Sequence, residues 1–364
     1  MNLEDYREQL DQIDNQILDF LHQRIGIVEK IGYLKRQNSR ESDQDFHVYA
    51  PHREKQIVDR LCQQNRNRFP AGALEKIYSE IISACRSIEK PMRIAFLGPV
   101  ATFGHAAGIA HFGSSVEFVP ITPQSDIFAE VEAKRVDYGI IAIENSIYGS
   151  VRDVLEMFHN TSLQICGERL MRIDHNLMSV SSLPEINKIY SHAQALAQCR
   201  RWIKQNLPHV ELVQVLSTSE AAQLTTSEKG AAAIASKLAS QYHQLPIVAE
   251  SIMDNASNMT RFLIIGHHIA EPTGRDRTSI LIGLRDKVGS LASVLTVLCN
   301  HHLNMSKIES LPSRHKAWEY VFFVDFNGHL ADEKVQAALP VIEERSVFLK
   351  VLGSYPIAHT ATKN

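Results

Sequence analysis

The chain has 364 residues, 44% of them hydrophobic and 22% charged, and a formal net charge of −3 at pH 7. At roughly 150 residues per domain, two or three domains are expected. The charge, without a basic block, argues against nucleic acid as a partner, and the absence of a run of about 18 apolar residues argues against a membrane span. The five scattered cysteines form no CxxC pair and so indicate neither a disulfide framework nor a metal site. The acidic start, without a basic leader, predicts a cytoplasmic protein.

Residues 1–90 are predicted to form an all-α helical domain. Apolar residues from 10 to 34 recur at spacings of three and four, which is typical of one amphipathic helix of roughly 35 residues. The polar stretch 38–45 is expected to end this helix, and two more are expected at 51–64 and 73–88. So small a domain cannot bury a helix about 50 Å long, so we expect a second chain to cover it in a homodimer or higher homo-oligomer.

Two cations lie on the inner face of the long helix. Arg24 interrupts the apolar stripe, and Lys35 follows eleven residues later, which at about 100° per residue returns to the same face. Inward charges are costly unless negative charge meets them, so the two cations indicate either an anion site or buried ion pairs. Arg7 is about 25 Å from Arg24 along the helix, so it is expected to reach only the pocket of a second chain.

The basic and acidic residues of this region resemble those of the helical chorismate mutase domain of bifunctional chorismate mutase/prephenate dehydratases. The resemblance covers residues 1–90 and implies these catalytic residues: Arg7, Arg24, Lys35, Arg53, Glu54 and Glu89. In the family, arginines from both chains of an intertwined dimer hold the carboxylates of the substrate. The reaction implied is a pericyclic rearrangement without cofactor or metal, in which the site holds a compact conformer and stabilises charge on the breaking C–O bond.

Individual roles in this pocket follow from the same resemblance. Lys35 would donate to the ether oxygen and Glu54 would take the ring hydroxyl. Glu89 stands where some members have glutamine, so it would have to be protonated to donate to the ether oxygen. Ala50 and Cys85 replace an aspartate and a serine found in some members.

Residues 92–268 are predicted to form a two-lobed α/β domain with largely parallel sheets, because short apolar strands alternate with helices. Polar residues cluster where predicted strands end and helices begin, at 98–102, 144–146, 191–192, 217–219 and 236. Such positions offer free backbone N–H groups to a small anion in the cleft, although each alone is more typical of a helix N-cap, and it is their recurrence between strands that favours a site. GxGxxG is absent, so no dinucleotide cofactor is expected.

Four motifs of this region are similar to the prephenate dehydratase domain: GPVATF at 98–103, ENS at 144–146, SHAQ at 191–194 and TRF at 260–262. The resemblance implies loss of CO2 and hydroxide from prephenate, with Thr260 donating a hydrogen bond and Glu144 or His192 supplying the proton. Asn145 and Gln194 complete the catalytic set. The substrate-binding residues implied are Thr102, Ser146, Ser191, Arg261 and Phe262. Ala101 and Gly104 depart from the glycine and the serine or threonine that the family usually has.

Residues 275–364 are predicted to form an α+β ferredoxin-like domain after a linker of Gly274 and the charged residues 275–277. The predicted order is βαββαβ, with strands at 279–284, 305–311, 320–326 and 348–352 and helices at 290–302 and 333–344. This unit resembles the ACT regulatory domain, which implies phenylalanine as effector. The effector-binding residues implied are Gly289, Ser290, Leu291, Ala292, Glu309 and Ser310. Leu311 replaces a usual arginine, and a purely structural dimerisation module is the alternative.

The sequence therefore favours a bifunctional enzyme of phenylalanine biosynthesis that converts chorismate to prephenate and prephenate to phenylpyruvate, with feedback by phenylalanine. Two alternatives stay open. The central domain could have lost activity through Ala101 and Gly104, leaving a mutase, or the two-lobed fold could serve as a ligand sensor. The set Glu144, Gln194 and Thr260 favours the enzyme, because a sensor has no need of it.

Overall fold

The computed structural model describes residues 2–42, 48–66, 68–312 and 320–358. The chain divides into two compact units. The first is Met1–Met92 with Phe112–Glu117, and the second is Arg93–His111 with Phe118–Asn364. None of the helices in the described ranges has both the length and the hydropathy that a bilayer crossing requires.

The first unit is helical, as predicted, with α1 (Leu3–Ser42), α2 (Pro51–Gln64) and α3 (Ala71–Glu89). α1 extends to Ser42, which lies inside the polar stretch 38–45 that is expected to end it. Polar residues interrupt an apolar stripe without breaking the backbone, and the stretch 38–42 contains neither glycine nor proline.

One face of α1 is left uncovered within the chain. Its large apolar residues are each at least 43% exposed: Leu3, Leu10, Ile13, Ile17, Phe20, Ile27, Ile31 and Leu34. These exposed apolar side chains recur at helical spacing and form a continuous stripe along the helix.

The described residues of the second unit form three sheets. In chain order its elements are β1 (Arg93–Leu97), α4 (Phe103–Phe112), β2 (Glu117–Ile121), α5 (Gln124–Glu132), β3 (Tyr138–Asn145), β4 (Gly149–Ser150), α6 (Arg152–Met157), β5 (Gln164–Arg172), β6 (Asn176–Met178), β7 (Lys188–Ser191), α7 (Ala193–Gln198), α8 (Arg200–Asn206), β8 (Glu211–Gln214), α9 (Thr218–Thr225), β9 (Ala231–Ala235), α10 (Lys237–His243), β10 (Ile247–Ala249), β11 (Met259–Gly266), β12 (Asp276–Leu284), α11 (Ser290–Asn300), β13 (Met305–Pro312), β14 (Tyr320–Asn327), α12 (Glu333–Arg345) and β15 (Phe348–Pro356). A 3-10 turn, Leu183–Glu185, precedes β7.

The two lobes of the central domain are confirmed as two sheets, with orders β2-β1-β3-β11-β5 and β10-β6-β9-β7-β8. The expectation of largely parallel sheets is wrong, because both sheets are mixed. β1 is parallel to β3, and β7 to β8 and β9, but β11 is antiparallel to β3 and β5, and β6 to β9 and β10. The chain leaves the first lobe through β5 and re-enters it through β11, and this return inserts an antiparallel strand between β3 and β5.

The C-terminal domain has the predicted βαββαβ order, and its sheet runs β13-β14-β12-β15. The linker predicted at 274–277 is shorter than expected, because β12 begins at Asp276. Two of the charged residues of this segment have partners. Asp276 accepts hydrogen bonds from Thr273, and Arg277 Nη1 lies 2.5 Å from Glu168 Oε2. Charged residues that have partners can lie in a strand as well as in a linker. The predicted linker is therefore too long, because charge alone does not distinguish an exposed segment from a strand.

The C-terminal domain packs directly on the first lobe. Leu311, Phe323, Leu352 and Tyr355 are buried in one cluster with core residues of the first lobe, among them Ile165. At Gly353 the backbone passes so close to Ile165 that a Cβ atom would overlap the main chain of that residue, and glycine at φ +149° permits this approach. The two domains therefore share a hydrophobic core.

Candidate active sites

The helical unit contains a cavity of about 580 Å³ lined by all three helices. Five of the six predicted mutase residues line it: Arg24, Lys35, Arg53, Glu54 and Glu89. Arg7 does not. Its Nη1 lies 3.1 Å from Glu4 Oε2 on the exposed first turns of α1.

The charges in this cavity are only partly satisfied within one chain. Lys35 Nζ is 3.3 Å from Glu89 Oε1, so these two predicted residues form an ion pair. Arg24 Nη1 is buried and has no hydrogen-bond partner among the described residues. Because a buried guanidinium nitrogen without a partner is costly, Arg24 is suited to bind a carboxylate that enters the cavity.

Arg86 is a charged residue of this cavity that the sequence reasoning missed. Its Nη1 donates to Glu54 Oε1 at 2.7 Å and its Nη2 donates to the carbonyl of Phe112 at 2.5 Å. Burial raises the pKa of Glu54, and the Arg86 guanidinium opposes that rise. Helix periodicity could have identified Arg86, because it precedes Glu89 by three positions and so lies on the same face of α3.

The second candidate site is a cavity of about 860 Å³ between the two lobes. Most of the predicted dehydratase residues line it: Thr102, Glu144, Asn145, His192, Gln194, Thr260 and Phe262. They come from the start of α4, the end of β3, the start of α7 and the first residues of β11. The sites predicted where strands end and helices begin are therefore brought together.

The orientation of the Thr260 hydroxyl follows from the contacts of Asn145. Asn145 Oδ1 accepts the backbone N–H groups of Ile147 and Tyr148, at 3.0 and 3.2 Å, which distinguishes the oxygen from the nitrogen. Asn145 Nδ2 therefore donates to Asn258 Oδ1 at 2.8 Å and to Thr260 Oγ1 at 2.9 Å. Since Thr260 Oγ1 accepts this bond, its own proton is available to a molecule in the cavity.

A buried chain of hydrogen bonds continues from Asn258 into the second lobe. Asn258 Nδ2 donates to Gln198 Oε1 at 2.9 Å, and His175 Nε2 lies 2.7 Å from the same oxygen. An amide oxygen only accepts, so His175 donates from Nε2, and its buried Nδ1 has no partner among the described residues. Burial lowers the pKa of His175, which favours this neutral ring. His175 and Gln198 line the cavity and were not predicted.

Arg261 does not line the cavity, so its predicted contact with substrate is corrected. Its side chain is buried on the opposite face of β11, where Nε is 2.8 Å from Glu168 Oε2 and Nη1 is 2.5 Å from Asp325 Oδ2. Successive side chains of a strand point to opposite faces, so Thr260 and Phe262 reach the cavity and Arg261 cannot. Arg261 joins the first lobe to the C-terminal domain.

Ser191 and Ser146, also predicted to contact substrate, lie outside the cavity lining as well. Ser191 is fully buried and donates from Oγ to the carbonyl of Ile234 at 2.6 Å. Ser146 Oγ accepts the backbone N–H of Met259 at 2.9 Å. Both serines form hydrogen bonds with backbone groups near the cavity. A sequence pattern does not distinguish a serine in this structural role from one that binds substrate.

Ala101 and Gly104 have different consequences for the cavity. Ala101 has φ +64°, a conformation that favours glycine, and its N–H and C=O are bonded to His105 and Ser236. Its backbone turn is therefore kept. Gly104 lines the cavity, and a Cβ atom there would have ordinary contacts of 3.7 Å or more, so space remains where other members carry a hydroxyl.

The residues predicted to bind an effector are divided between two environments. Gly289, at φ +86°, is the N-cap of α11, and Ser290, Leu291 and Ala292 form its first turn. Glu309 faces the dehydratase domain, where its Oε2 accepts from Ser150 Oγ at 2.7 Å, whereas Ser310 is exposed on the other face of β13. Leu311 is 3% exposed in the core shared with the first lobe.

Models of three protein families match the chain. The chorismate mutase type II family matches residues 6–90, the prephenate dehydratase family matches residues 94–270, and the ACT domain family matches residues 278–339.

Whole-chain relatives show the same combination. The bifunctional chorismate mutase/prephenate dehydratase of Aquifex aeolicus is 43% identical over 361 residues, which cover 98% of each chain. Among solved structures, a prephenate dehydratase from Arthrobacter aurescens in complex with L-phenylalanine has a TM-score of 0.68 and 31% identity, covering 73% of this chain and 90% of that one. The quorum-quenching acylase GqqA also has a TM-score of 0.68, with 27% identity, covering 74% of this chain and 100% of that one.

Proposed function

Because the chain belongs to the family of bifunctional chorismate mutase/prephenate dehydratases, and carries the isomerase and lyase activities of that family, we propose that each reaction takes place in one of the two cavities. Chorismate becomes prephenate in the helical domain, and prephenate becomes phenylpyruvate between the two lobes. Family membership sets aside the mutase-only and ligand-sensor alternatives. The domain bounds proposed are 1–90, 92–268 and 275–364, and the location proposed is the cytoplasm.

The dehydratase reaction is assigned to Thr260, and the observation that carries this assignment is the hydrogen bond from Asn145. Because Thr260 lines the cavity and its Oγ1 accepts from Asn145 Nδ2 at 2.9 Å, its hydroxyl proton remains available to donate to the leaving hydroxide. A threonine hydroxyl is a weak acid, so another group must supply the proton. His192, which lines the cavity, is assigned this role, because its imidazolium form can give a proton to the leaving hydroxide and remain as a neutral imidazole.

The lining of the dehydratase cavity suits the loss of CO2. Among the described residues that line it there is no lysine or arginine, and its apolar wall includes Ile140, Ala142 and Phe262. A ring carboxylate against this wall is poorly solvated, which favours its departure as neutral CO2 while the ring becomes aromatic. The second carboxylate of prephenate can bind the free N–H groups where α4, α7 and α9 begin.

The mutase reaction is proposed to need two chains. Arg24 and Arg53 would hold carboxylates of chorismate, with Lys35 and Glu89 at the ether oxygen and Glu54 at the ring hydroxyl. Arg7 lies outside the cavity of its own chain and, like the exposed apolar face of α1, is explained by a homodimer in which it completes the cavity of its partner.

Phenylalanine is proposed as the effector, in line with the L-phenylalanine complex of the Arthrobacter enzyme. It would bind near Gly289, Ser290, Leu291 and Ala292, where the free N–H groups at the start of α11 can meet its carboxylate. Ser310, on the exposed face of β13, would contribute through an interface between two C-terminal domains, whereas the Glu309 carboxylate is bonded to Ser150 of the dehydratase domain.

The substitution Asn145→Asp tests the dehydratase assignment without changing the size of the side chain. An acceptor oxygen then replaces the donating amide, the Thr260 proton turns toward it, and kcat with prephenate should fall about 10²- to 10³-fold. Mutase activity of the same protein is the internal control and should stay at the wild-type level. Full dehydratase turnover in this variant would contradict the assignment.

A further inference from the structure

Strand β13 of the C-terminal domain turns one face toward the dehydratase cavity. Side chains alternate along the strand, so Lys307, Glu309 and Leu311 point to the first lobe while Ile308 and Ser310 are exposed. Leu311 enters the shared core, and Lys307 and Glu309 both contact Ser150, a residue that lines the cavity.

Lys307 forms an ion pair with a carboxylate of the cavity. Its Nζ is 3.1 Å from Glu144 Oε1 and donates to Ser150 Oγ at 2.8 Å. Ser150 lies opposite Glu144 because β4 pairs with β3, and its hydroxyl in turn donates to Glu309 Oε2 at 2.7 Å. Only 9% of the Lys307 side chain is exposed, so the ammonium is held between the two domains.

The charge of Glu144 is unfavourable for the proposed substrate. Prephenate carries two carboxylates, and among the described lining residues the cavity offers no lysine or arginine to oppose Glu144. Arg261 Nη1 is 4.0 Å from Glu144 Oε2, but the same guanidinium is already paired with Glu168 and Asp325. Lys307 is therefore the nearer cation, and its other hydrogen bond is to a neutral hydroxyl.

We propose that Lys307 completes the dehydratase site from the C-terminal domain, as a positioning residue that holds the Glu144 carboxylate and offsets its charge so that a dianion can bind. The proposal rests on the proposed function of the cavity. It makes the C-terminal domain part of the dehydratase itself, and not only a sensor attached to it.

The substitution Lys307→Met removes the ammonium and keeps a long side chain. With Glu144 left unopposed, KM for prephenate should rise roughly tenfold or more, because electrostatic attraction in a cleft changes local ligand concentration by factors of this order. Lys307→Arg keeps the charge and should restore most of the affinity. In the double variant Lys307→Met with Glu144→Gln no charge remains to be offset, so KM should return toward the value of Glu144→Gln alone.

Lys350 provides a matched control. It is a second lysine of the C-terminal domain that crosses to the first lobe, where its Nζ donates to the carbonyls of Phe158, His159 and Thr161. None of these residues lines the cavity. Lys350→Met should therefore lower the melting temperature of the protein and leave KM for prephenate unchanged.

The decisive experiment measures kcat and KM with prephenate, together with melting temperature, for the wild type and these variants. A rise in KM for Lys307→Met that the double variant reverses supports the proposal. A Lys307→Met protein whose KM matches that of Lys350→Met overturns it, as does a double variant that keeps the raised KM. If the wild type does not turn over prephenate, both the proposed function and the role of Lys307 are contradicted. If the wild type turns over prephenate normally and the variants behave otherwise than expected, only the role of Lys307 is contradicted.

Discussion

The helical cavity and the two-lobed cavity differ in how far one chain completes them. In the helical unit Arg24 keeps a buried nitrogen without a partner among the described residues, Arg7 lies on an exposed turn, and the apolar face of α1 is uncovered. In the two-lobed domain Thr260, Asn145 and Asn258 are bonded to one another in one continuous chain. An unpartnered polar atom beside an exposed apolar face is what the proposed homodimer explains in the helical unit.

The largest effect on activity is expected at the arginines of the helical unit. Arg7→Ala and Arg24→Ala should each reduce mutase activity to near background, because in the proposed dimer each cavity takes Arg24 from one chain and Arg7 from the other. Mixing the two variants should restore part of the activity, since one of the two cavities in a mixed dimer keeps both arginines. The measurement is the mutase rate after verified subunit exchange. No recovery would mean that the helical cavity is as self-contained as the other one.

The next effect tests how firmly the C-terminal domain belongs to the dehydratase unit. Leu311→Arg restores the residue that the family usually has, but places a charge in the shared core, where an unpaired buried charge costs about 3–5 kcal/mol. The free energy of unfolding should fall by that order, measured by denaturant titration. Leu311→Met, which keeps an apolar side chain of similar volume, is the control. An arginine variant as stable as the control would show that this part of the interface opens readily.

A smaller effect is expected at Arg86, which is the internal counterpart of Lys307 in the helical unit. Arg86→Met leaves the buried Glu54 without its cation, and mutase kcat should fall on the order of 10- to 100-fold through misplacement of the carboxylate. Burial already raises the pKa of Glu54 and Arg86 opposes that rise, so its loss raises the pKa further. If Glu54 acts as a carboxylate, the acidic limb of the mutase pH profile should move to higher pH. If the acidic limb of the Arg86→Met variant does not move, Arg86 does not act on the mutase reaction through Glu54.

Local sequence patterns predicted most of the architecture of this protein. Apolar spacing predicted the helices of the first unit and the βαββαβ order of the last, and polar residues at strand ends predicted Glu144, Asn145 and His192 beside Thr260. The error at Arg261 was avoidable, because strand alternation places it opposite its two neighbours. The parallel sheets were wrong because no local pattern shows that β11 returns to the first lobe between β3 and β5.

Contacts between distant segments were beyond the reach of these patterns. Lys307 and Glu144 are 163 residues apart, and nothing in the periodicity of either strand shows that the C-terminal sheet packs against the first lobe. The bonds that join His175, Gln198 and Asn258 likewise depend on the closure of two lobes. Such pairs follow from tertiary packing, so only the folded structure identifies them.

The central claim is that one chain holds two cavities with separate chemistry, and the most direct test supplies chorismate to Thr260→Ala while following both products over time. Thr260 belongs only to the two-lobed cavity. Prephenate should therefore form at the wild-type rate and accumulate, with phenylpyruvate formation reduced about 10²- to 10³-fold. Loss of prephenate formation as well, or phenylpyruvate formed at the wild-type rate, would contradict the claim.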